Sequence, residues 1–333
     1  MEKQPAIIIT GAAGFIGSCM VQYFNEQGLE NLILVDKFTH AQKEKNWKHK
    51  KYKYLVDREL LLEWIDENKP NIEFVIHLGA RTDTTEFDYN IHKELNEEYS
   101  QYVWNYCTGN NIPLIYASSA ATYGNGELGY ADDDSMLGDL RPLNPYGVSK
   151  NEFDKWAVQQ YNAPPLWAGL KFFNVYGPNE YHKERMASVI FHACKQIELH
   201  GCVKLFKSYK EEFKHGEQLR DFIYVKDIVK VVWWIFSAMK NNKWTSAKNG
   251  IYNLGTGKAR TFNDLVHATF NALDKQPEIT YIDMPSDLVN TYQYFTEASM
   301  LKLKHAGYEE SFTSLEEGVN DYVRNYLSKK EYY

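Results

Sequence analysis

Cysteine is scarce in this chain, with four in 333 residues, at positions 19, 107, 194 and 202. They lie far apart, form no C-x-x-C pair and accompany no histidine cluster at zinc spacing. A disulfide scaffold and a metal site are therefore excluded, and free thiols in a reducing compartment are expected. Positive charge is also short. Lys and Arg total 37 against 44 Asp and Glu, a net charge of −7, and no part of the chain carries a strong basic excess. Nucleic acid is not an expected partner. Long apolar runs are missing: the longest, Ile228 to Met239, contains Lys230 and is too short to cross a bilayer. Met1-Glu2-Lys3-Gln4-Pro5 lacks the basic-then-apolar pattern of a secretory signal. A cytoplasmic protein without a membrane partner is expected. Repeats and low-complexity stretches are absent too.

What the chain does have is apolar and aromatic material, 44% and 15% of residues, including 25 Tyr. Its length suits two lobes or one large α/β domain. Four short β-branched runs stand out: Ala6–Thr10, Leu32–Asp36, Phe74–His77 and Pro113–Ala117. Helical patterns separate them, over Phe15–Gly28, Arg58–Asn68 and Asn90–Thr108. A further helix is expected from Tyr146 to about Tyr161, then a strand over Leu166–Phe172. Strands alternating with helices predict right-handed crossovers and a doubly wound parallel sheet of the Rossmann type. Continuously apolar strands predict that both faces of the sheet are covered. Segments 174–222 and 251–289 read as irregular, whereas Ile228–Ala238 reads as a buried helix. The expected division is a dinucleotide-binding part, 1–173, with returning segments near 222–248 and 290–306. A smaller, discontinuous C-terminal substrate lobe takes 174–221 and 249–333. Six lysines between Lys43 and Lys53 read as a solvated loop after the second strand.

Gly11-Ala12-Ala13-Gly14-Phe15-Ile16-Gly17 follows the first strand and opens a helix. In that context Gly11 permits the turn, Gly14 lets backbone approach a pyrophosphate, and Gly17 lets helix pack on strand. Asp36 lies 36 − 17 = 19 residues further on, where an acid binds the adenosine ribose. The carboxylate favours NAD, while Lys37 and the lysines from Lys43 onward could neutralise the 2′-phosphate of NADP. The residues alone leave both open.

Tyr146-Gly147-Val148-Ser149-Lys150 places a phenol and an ammonium four residues apart on one helix face. A tyrosine of pKa ~10 is a poor base at neutral pH. A nearby ammonium favours phenolate, which can take a hydroxyl proton while hydride leaves the same carbon. Ser118 or Ser119, after the fourth strand, could orient the substrate oxygen.

Gly11–Gly17, Ser118–Gly124 and Tyr146–Lys150 together resemble the extended short-chain dehydrogenase/reductases that act on nucleotide sugars. The run Phe172–Lys183, then Met186–Val189, Lys204–Phe206, Arg220–Asp227, Tyr252–Gly257 and Tyr292–Thr296, resembles the ADP-L-glycero-D-manno-heptose 6-epimerase family. The resemblance spans nearly the whole chain. It implies an isomerase that oxidises and re-reduces C6 of ADP-heptose with tightly held NADP, supplying heptose for lipopolysaccharide. It implies a catalytic set of Ser119, Tyr146 and Lys150, with Lys183 as a second acid/base. For the cofactor it implies Gly11, Gly14, Phe15, Ile16, Gly17, Asp36, Lys37, Lys43, Arg58, Leu78, Gly79, Ala80, Arg81, Thr82, Asn96, Lys150 and Val175. For the substrate it implies Ser119, Asn174, Arg185, His192, Phe206, Arg220 and Tyr292. A homo-oligomer is the expected assembly.

Three departures stand against the family pattern. Glu184-Arg185 replaces the common Gly-Ser after the lysine; Leu95 stands where an asparagine is usual, with Asn96 beside it; and 209–219 is a longer charged stretch, read as a surface loop. The alternative enzyme is a 4-epimerase or dehydratase of the same fold. A dehydratase usually carries Asp-Glu where this chain has Ala120-Ala121. A dinucleotide-sensing regulator typically loses the tyrosine or the lysine, and both are present.

Overall fold

A computed structural model describes residues 5–285 and 292–333. Positions 1–4, read above for a leader, and 286–291, at the junction of the irregular stretch and the expected returning segment, lie outside the described residues. The apolar runs form strands where their pattern predicts them. In chain order the strands are β1 (Ala6–Thr10), β2 (Leu32–Asp36), β3 (Tyr54–Asp57), β4 (Ile72–His77), β5 (Leu114–Ser119), β6 (Trp167–Phe172) and β7 (Asn174–Tyr176). There follow β8 (Val203–Phe206), β9 (Leu219–Arg220), β10 (Phe222–Tyr224), β11 (Gly250–Leu254), β12 (Arg260–Thr261) and β13 (Ile279–Ile282). The central sheet has seven parallel strands in the order β11-β6-β5-β4-β1-β2-β3. Every residue of β1, β2 and β6 is buried, as a sheet covered on both faces requires.

The helices are α1 (Phe15–Glu26), α2 (Glu44–Trp47), α3 (Leu61–Asn68), α4 (Tyr89–His92), α5 (Tyr99–Gly109), α6 (Pro145–Val158), α7 (Val189–His200), α8 (Val225–Lys240) and α9 (Phe262–Ala272). Two more follow, Leu301–His305 and Leu315–Tyr322. α1 and α8 share one face of the sheet. Phe24 stands edge-on to Trp233 at 5.2 Å and against Phe236 at 5.3 Å. Its complete burial makes Phe24→Ala cost about 3–5 kcal/mol.

Two readings are corrected here. β11 lies at one edge of the central sheet, not in the irregular set to which 251–289 was assigned. The rest of 174–222 and 251–285 is built around three two-stranded pairs, β7 with β10, β8 with β13, and antiparallel β9 with β12. Strands of two to four residues are too short to show a period. The lysine segment is also more than a solvated loop: Lys43 pairs with Asp36, and Lys50 is half-buried, which pushes its pKa down to about 8.

Candidate active site

Gly11 leaves β1 with φ of +69°, and a Cβ there would stand 2.7 Å from the Gly79 nitrogen. Gly17 is tighter still, because its Cβ would meet the Gly11 carbonyl oxygen at 2.1 Å. α1 therefore starts hard against β1. Gly14 caps it without a side-chain bond, and its first turn holds no acidic residue. The first-turn N–H groups and the positive end of the helix dipole are left for an anion.

These glycines open on a cavity of about 770 Å³ lined by Phe15, Ile16, Asp36, Lys37, Lys43, Arg58 and the stretch Leu78, Gly79, Ala80, Arg81, Thr82. Asp36 accepts from the N–H of Ala13 at 3.0 Å and of Lys37 at 2.7 Å, and lies 3.4 Å from Lys43 Nζ. Lys37 pairs with Glu59 at 2.9 Å, and Arg58 Nε is buried with no hydrogen-bond partner among the described residues. A groove without Cβ atoms, an uncapped helix start and an orphaned guanidinium nitrogen together fit a dinucleotide.

Asn96 does not join this wall. The helix before α5 is wound as a wide π-turn over Lys93–Glu98, and Leu95 takes the lining position. Asn96 is buried behind it, accepting from Arg81 N–H at 2.7 Å and donating to the Arg81 carbonyl at 3.0 Å and Ser149 Oγ at 2.9 Å. It shapes the cavity through the Arg81 main chain.

A second cavity of about 860 Å³ shares Phe15, Ile16, Leu78, Ala80, Thr82 and Lys183 with the first, and Ser119, Tyr146 and Lys150 line it. Asn144 begins α6 by accepting from Gly147 N–H at 2.8 Å, and Pro145 supplies the first helical residue. Tyr146 and Lys150 thus occupy its first two turns. Lys150 Nζ donates to the Ala117 carbonyl at 2.9 Å, and burial lowers its pKa to about 8 against the pull of Asp154. Burial raises the Tyr146 phenol, while a hydrogen bond with the Ser119 side chain lowers it. The two serines part here. Ser118 donates to Asp154 at 2.6 Å, in a buried network where Asp154 also meets Lys171 at 2.7 Å. Ser119 is left to the tyrosine.

Lys183 lines both cavities from the short turn Tyr181–Met186. Its ammonium lies 5.3 Å above the Phe15 ring, and burial lowers its pKa while Glu180 opposes that shift. Glu184, next in sequence, has φ of +47°, a region that favours glycine, and accepts from Gln42 Nε2 at 3.3 Å.

Asn174, Val175, Arg185, Arg220 and Tyr292 line the second cavity, which Phe15 and Ile16 of the glycine loop also line. Arg220 is buried, with its guanidinium over Tyr292 at 5.3 Å and Phe262 at 5.8 Å. His192 and Phe206 do not reach the wall among the described residues. Phe206 packs edge-on against Tyr292 at 6.4 Å, and His192 is held by a hydrogen bond with the Arg185 backbone. The 209–219 loop also stays off the wall but is not idle. Tyr209 N–H donates to the Tyr294 hydroxyl at 3.1 Å, and Phe213 packs on Tyr294, itself 5.4 Å from Tyr292. Thr84, Phe87, Met186, Ser188 and Gln293 are among the further lining residues that were not singled out as site residues; Phe87 and Thr84 lie in a loop with no periodic pattern to mark them.

Fold and site define a class. Residues 7–255 match the NAD dependent epimerase/dehydratase family, and the chain belongs to it. Its relatives narrow the likeness. It is 52% identical to the ADP-L-glycero-D-manno-heptose-6-epimerase of Fusobacterium nucleatum, over 98% of this chain and 99% of that one. The enzyme of that name from Nitratidesulfovibrio vulgaris is 47% identical over 96% and 98%. Among solved structures, Helicobacter pylori ADP-L-glycero-D-manno-heptose-6-epimerase matches with a TM-score of 0.80 at 27% identity, covering 97% and 96%. MoeE5 in complex with UDP-glucose and NAD matches with a TM-score of 0.72 at 25% identity, covering 97% and 99%.

Proposed function

We propose that this protein inverts C6 of ADP-D-glycero-D-manno-heptose to give ADP-L-glycero-D-manno-heptose, with NADP as resident cofactor. One observation carries the reading: Tyr146 and Lys183, from different elements, line one cavity. C6 is an ordinary carbinol, so its direct deprotonation is very slow. When bound, the dinucleotide supplies the alternative by taking hydride from C6 and returning it to the opposite face. The chain handles the protons. Tyr146, as phenolate, takes the O6 proton, with Ser119 hydrogen-bonded to it; an ammonium four residues along the helix, Lys150, favours the charged form on general grounds. The sugar is then a ketone at C6, and turning it presents the other face. Its oxygen now points away from Tyr146 and receives a proton from Lys183. Arg220 and Tyr292 hold the nucleotide end.

NADP is favoured because Lys37, Lys43 and Arg58 surround Asp36 and offset a 2′-phosphate. On this reading residues 1–173, with α8 and β11, carry the cofactor, and the remaining C-terminal pieces carry the sugar nucleotide for lipopolysaccharide heptose supply in the cytoplasm. The test incubates the protein with the ADP-heptose and with UDP-hexoses, following each stereocentre by NMR. Inversion at C6 of the heptose supports it. Inversion at C4 of a UDP-hexose, with the heptose untouched, overturns it.

A further inference from the structure

We propose that residues 322–333 are a positioning element of the active site, steadying the loop that carries Lys183. The proposal rests on the reading of Lys183 as the second acid/base. The side chains along this loop are tied down one after another. Asn179 accepts from Tyr333 N–H at 2.9 Å and donates to the Tyr333 main-chain oxygen at 2.8 Å and Ser18 Oγ at 2.9 Å. Glu180 is fully buried; its carboxylate accepts from Ser188 N–H and Oγ, both at 2.6 Å, and from the Tyr322 hydroxyl at 2.9 Å. The Tyr181 hydroxyl donates to the carbonyls of Tyr326 and Glu331, both at 3.1 Å, and its ring meets Tyr332 at 4.7 Å. His182 lies 3.3 Å from Asn46 Nδ2, and Glu184 accepts from Gln42.

Lys183 is the exception. Among the described residues its ammonium makes no hydrogen bond or ion pair, so its place in the cavity is set by the main chain that carries it. That main chain turns between two left-handed residues, Asn179 with φ of +74° and Glu184 with φ of +47°. The segment that grips 179–181 is itself anchored on the helices covering the sheet. Tyr333 donates to Glu26 of α1 at 2.8 Å, and Lys50 Nζ donates to the Tyr333 main-chain oxygen. Lys226 of α8 pairs with Asp321 at 2.7 Å and lies 4.9 Å above the Tyr326 ring and 5.0 Å above the Tyr333 ring. A continuous set of contacts thus runs from the scaffold to an acid/base whose ammonium has a ring contact with Phe15 and the field of Glu180 but no hydrogen bond or ion pair among the described residues. Proton transfer demands placement to a fraction of an ångström, and a displacement of ~1 Å costs on the order of 10²-fold in rate.

The test uses the full chain with three substitutions made singly. Tyr322→Phe and Tyr181→Phe each remove one hydroxyl, and Asn179→Gly removes the amide while keeping the left-handed backbone open. Each is expected to lower kcat for ADP-heptose by ~10- to 10²-fold, with KM within ~2-fold and bound dinucleotide unchanged. In a Lys183→Met background the same substitutions should cost nothing further, a non-additivity that a purely structural role does not produce. Equal losses in both backgrounds, or unchanged kcat in all three variants, overturn the proposal. An intact kcat in Lys183→Met alone overturns the functional reading beneath it, and this proposal with it. A full loss in Lys183→Met beside unaffected loop variants overturns the positioning role only.

Discussion

Tyr146 and Lys150 are a pair in which burial favours the neutral form of each partner. Tyr146→Phe keeps the ring and removes the phenol, so turnover should fall at least ~10²-fold while dinucleotide stays bound; steady-state rates and cofactor content check this. For Lys150 the sign can be worked through. Its pKa is lowered from 10.5 to about 8 in the fold. Between those values the unfolded chain binds more protons than the folded one, so this group's contribution to stability rises with pH. Below pH 8 the buried ammonium costs on the order of 3 kcal/mol. Lys150→Met should therefore melt at a higher temperature than the parent at pH 7 while losing activity; an unchanged or lower melting point at that pH speaks against the assignment. Lys183→Met should cut kcat ~10²–10⁴-fold. If the lysine only bound phosphate, KM would rise and kcat would hold. Glu184→Gly should relieve a strained backbone worth about 1–3 kcal/mol, raising the thermal midpoint.

At the level of elements, the glycine loop makes the most geometric prediction. Gly17→Ala sets a methyl 2.1 Å from the Gly11 carbonyl, so α1 must move off β1. The purified variant should carry little dinucleotide, measured by its absorbance after denaturation, whereas an exposed control such as Gly109→Ala should carry the normal amount. β1, β2, β4, β5 and β6 were legible in the sequence because strands buried on both faces spell mostly apolar runs, although β4 carries Glu73 and β6 the buried Lys171. β11 was not. Its Asn253 is fully buried, with donors spent on the Tyr130 and Ser299 carbonyls and its oxygen accepting from Tyr123. A satisfied polar residue interrupts the run without interrupting the strand. Asn96 was expected at the cofactor only as the neighbour of Leu95, where the family asparagine falls; Leu95 itself lines the cavity, within the π-turn, and Asn96 is buried behind it. The Tyr146–Lys150 pair announces itself by spacing. Lys183 sits in a short turn with no periodic pattern and was named only through the resemblance; the contacts of residues 179–181 with 322–333 are not legible locally.

Taken as a whole molecule, the two cavities adjoin through shared lining residues, so on the proposed function cofactor and sugar lie on one continuous surface and hydride should remain within the protein. Turnover in D2O should leave C6 of the product unlabelled, and a C6-deuterated substrate should keep its label; solvent deuterium at C6, read by mass spectrometry, would mean deprotonation chemistry instead. The docking of residues 326–333 has one more consequence, for biogenesis. It joins Tyr333 to Glu26 across 307 positions of chain. On the ribosome, the glycine loop, Tyr146 and Lys183 all emerge before the segment that steadies Lys183. At ~5–20 residues per second, the 333 − 183 = 150 residues still to come occupy roughly 8–30 s. At the start of that interval the first six strands of the parallel sheet, β1 to β6, have been made, while α8, β11 and the segment proposed to steady Lys183 have not. A chain stopped before residue 322 would therefore carry Tyr146 and Lys183 without the contacts proposed to hold Lys183 in place.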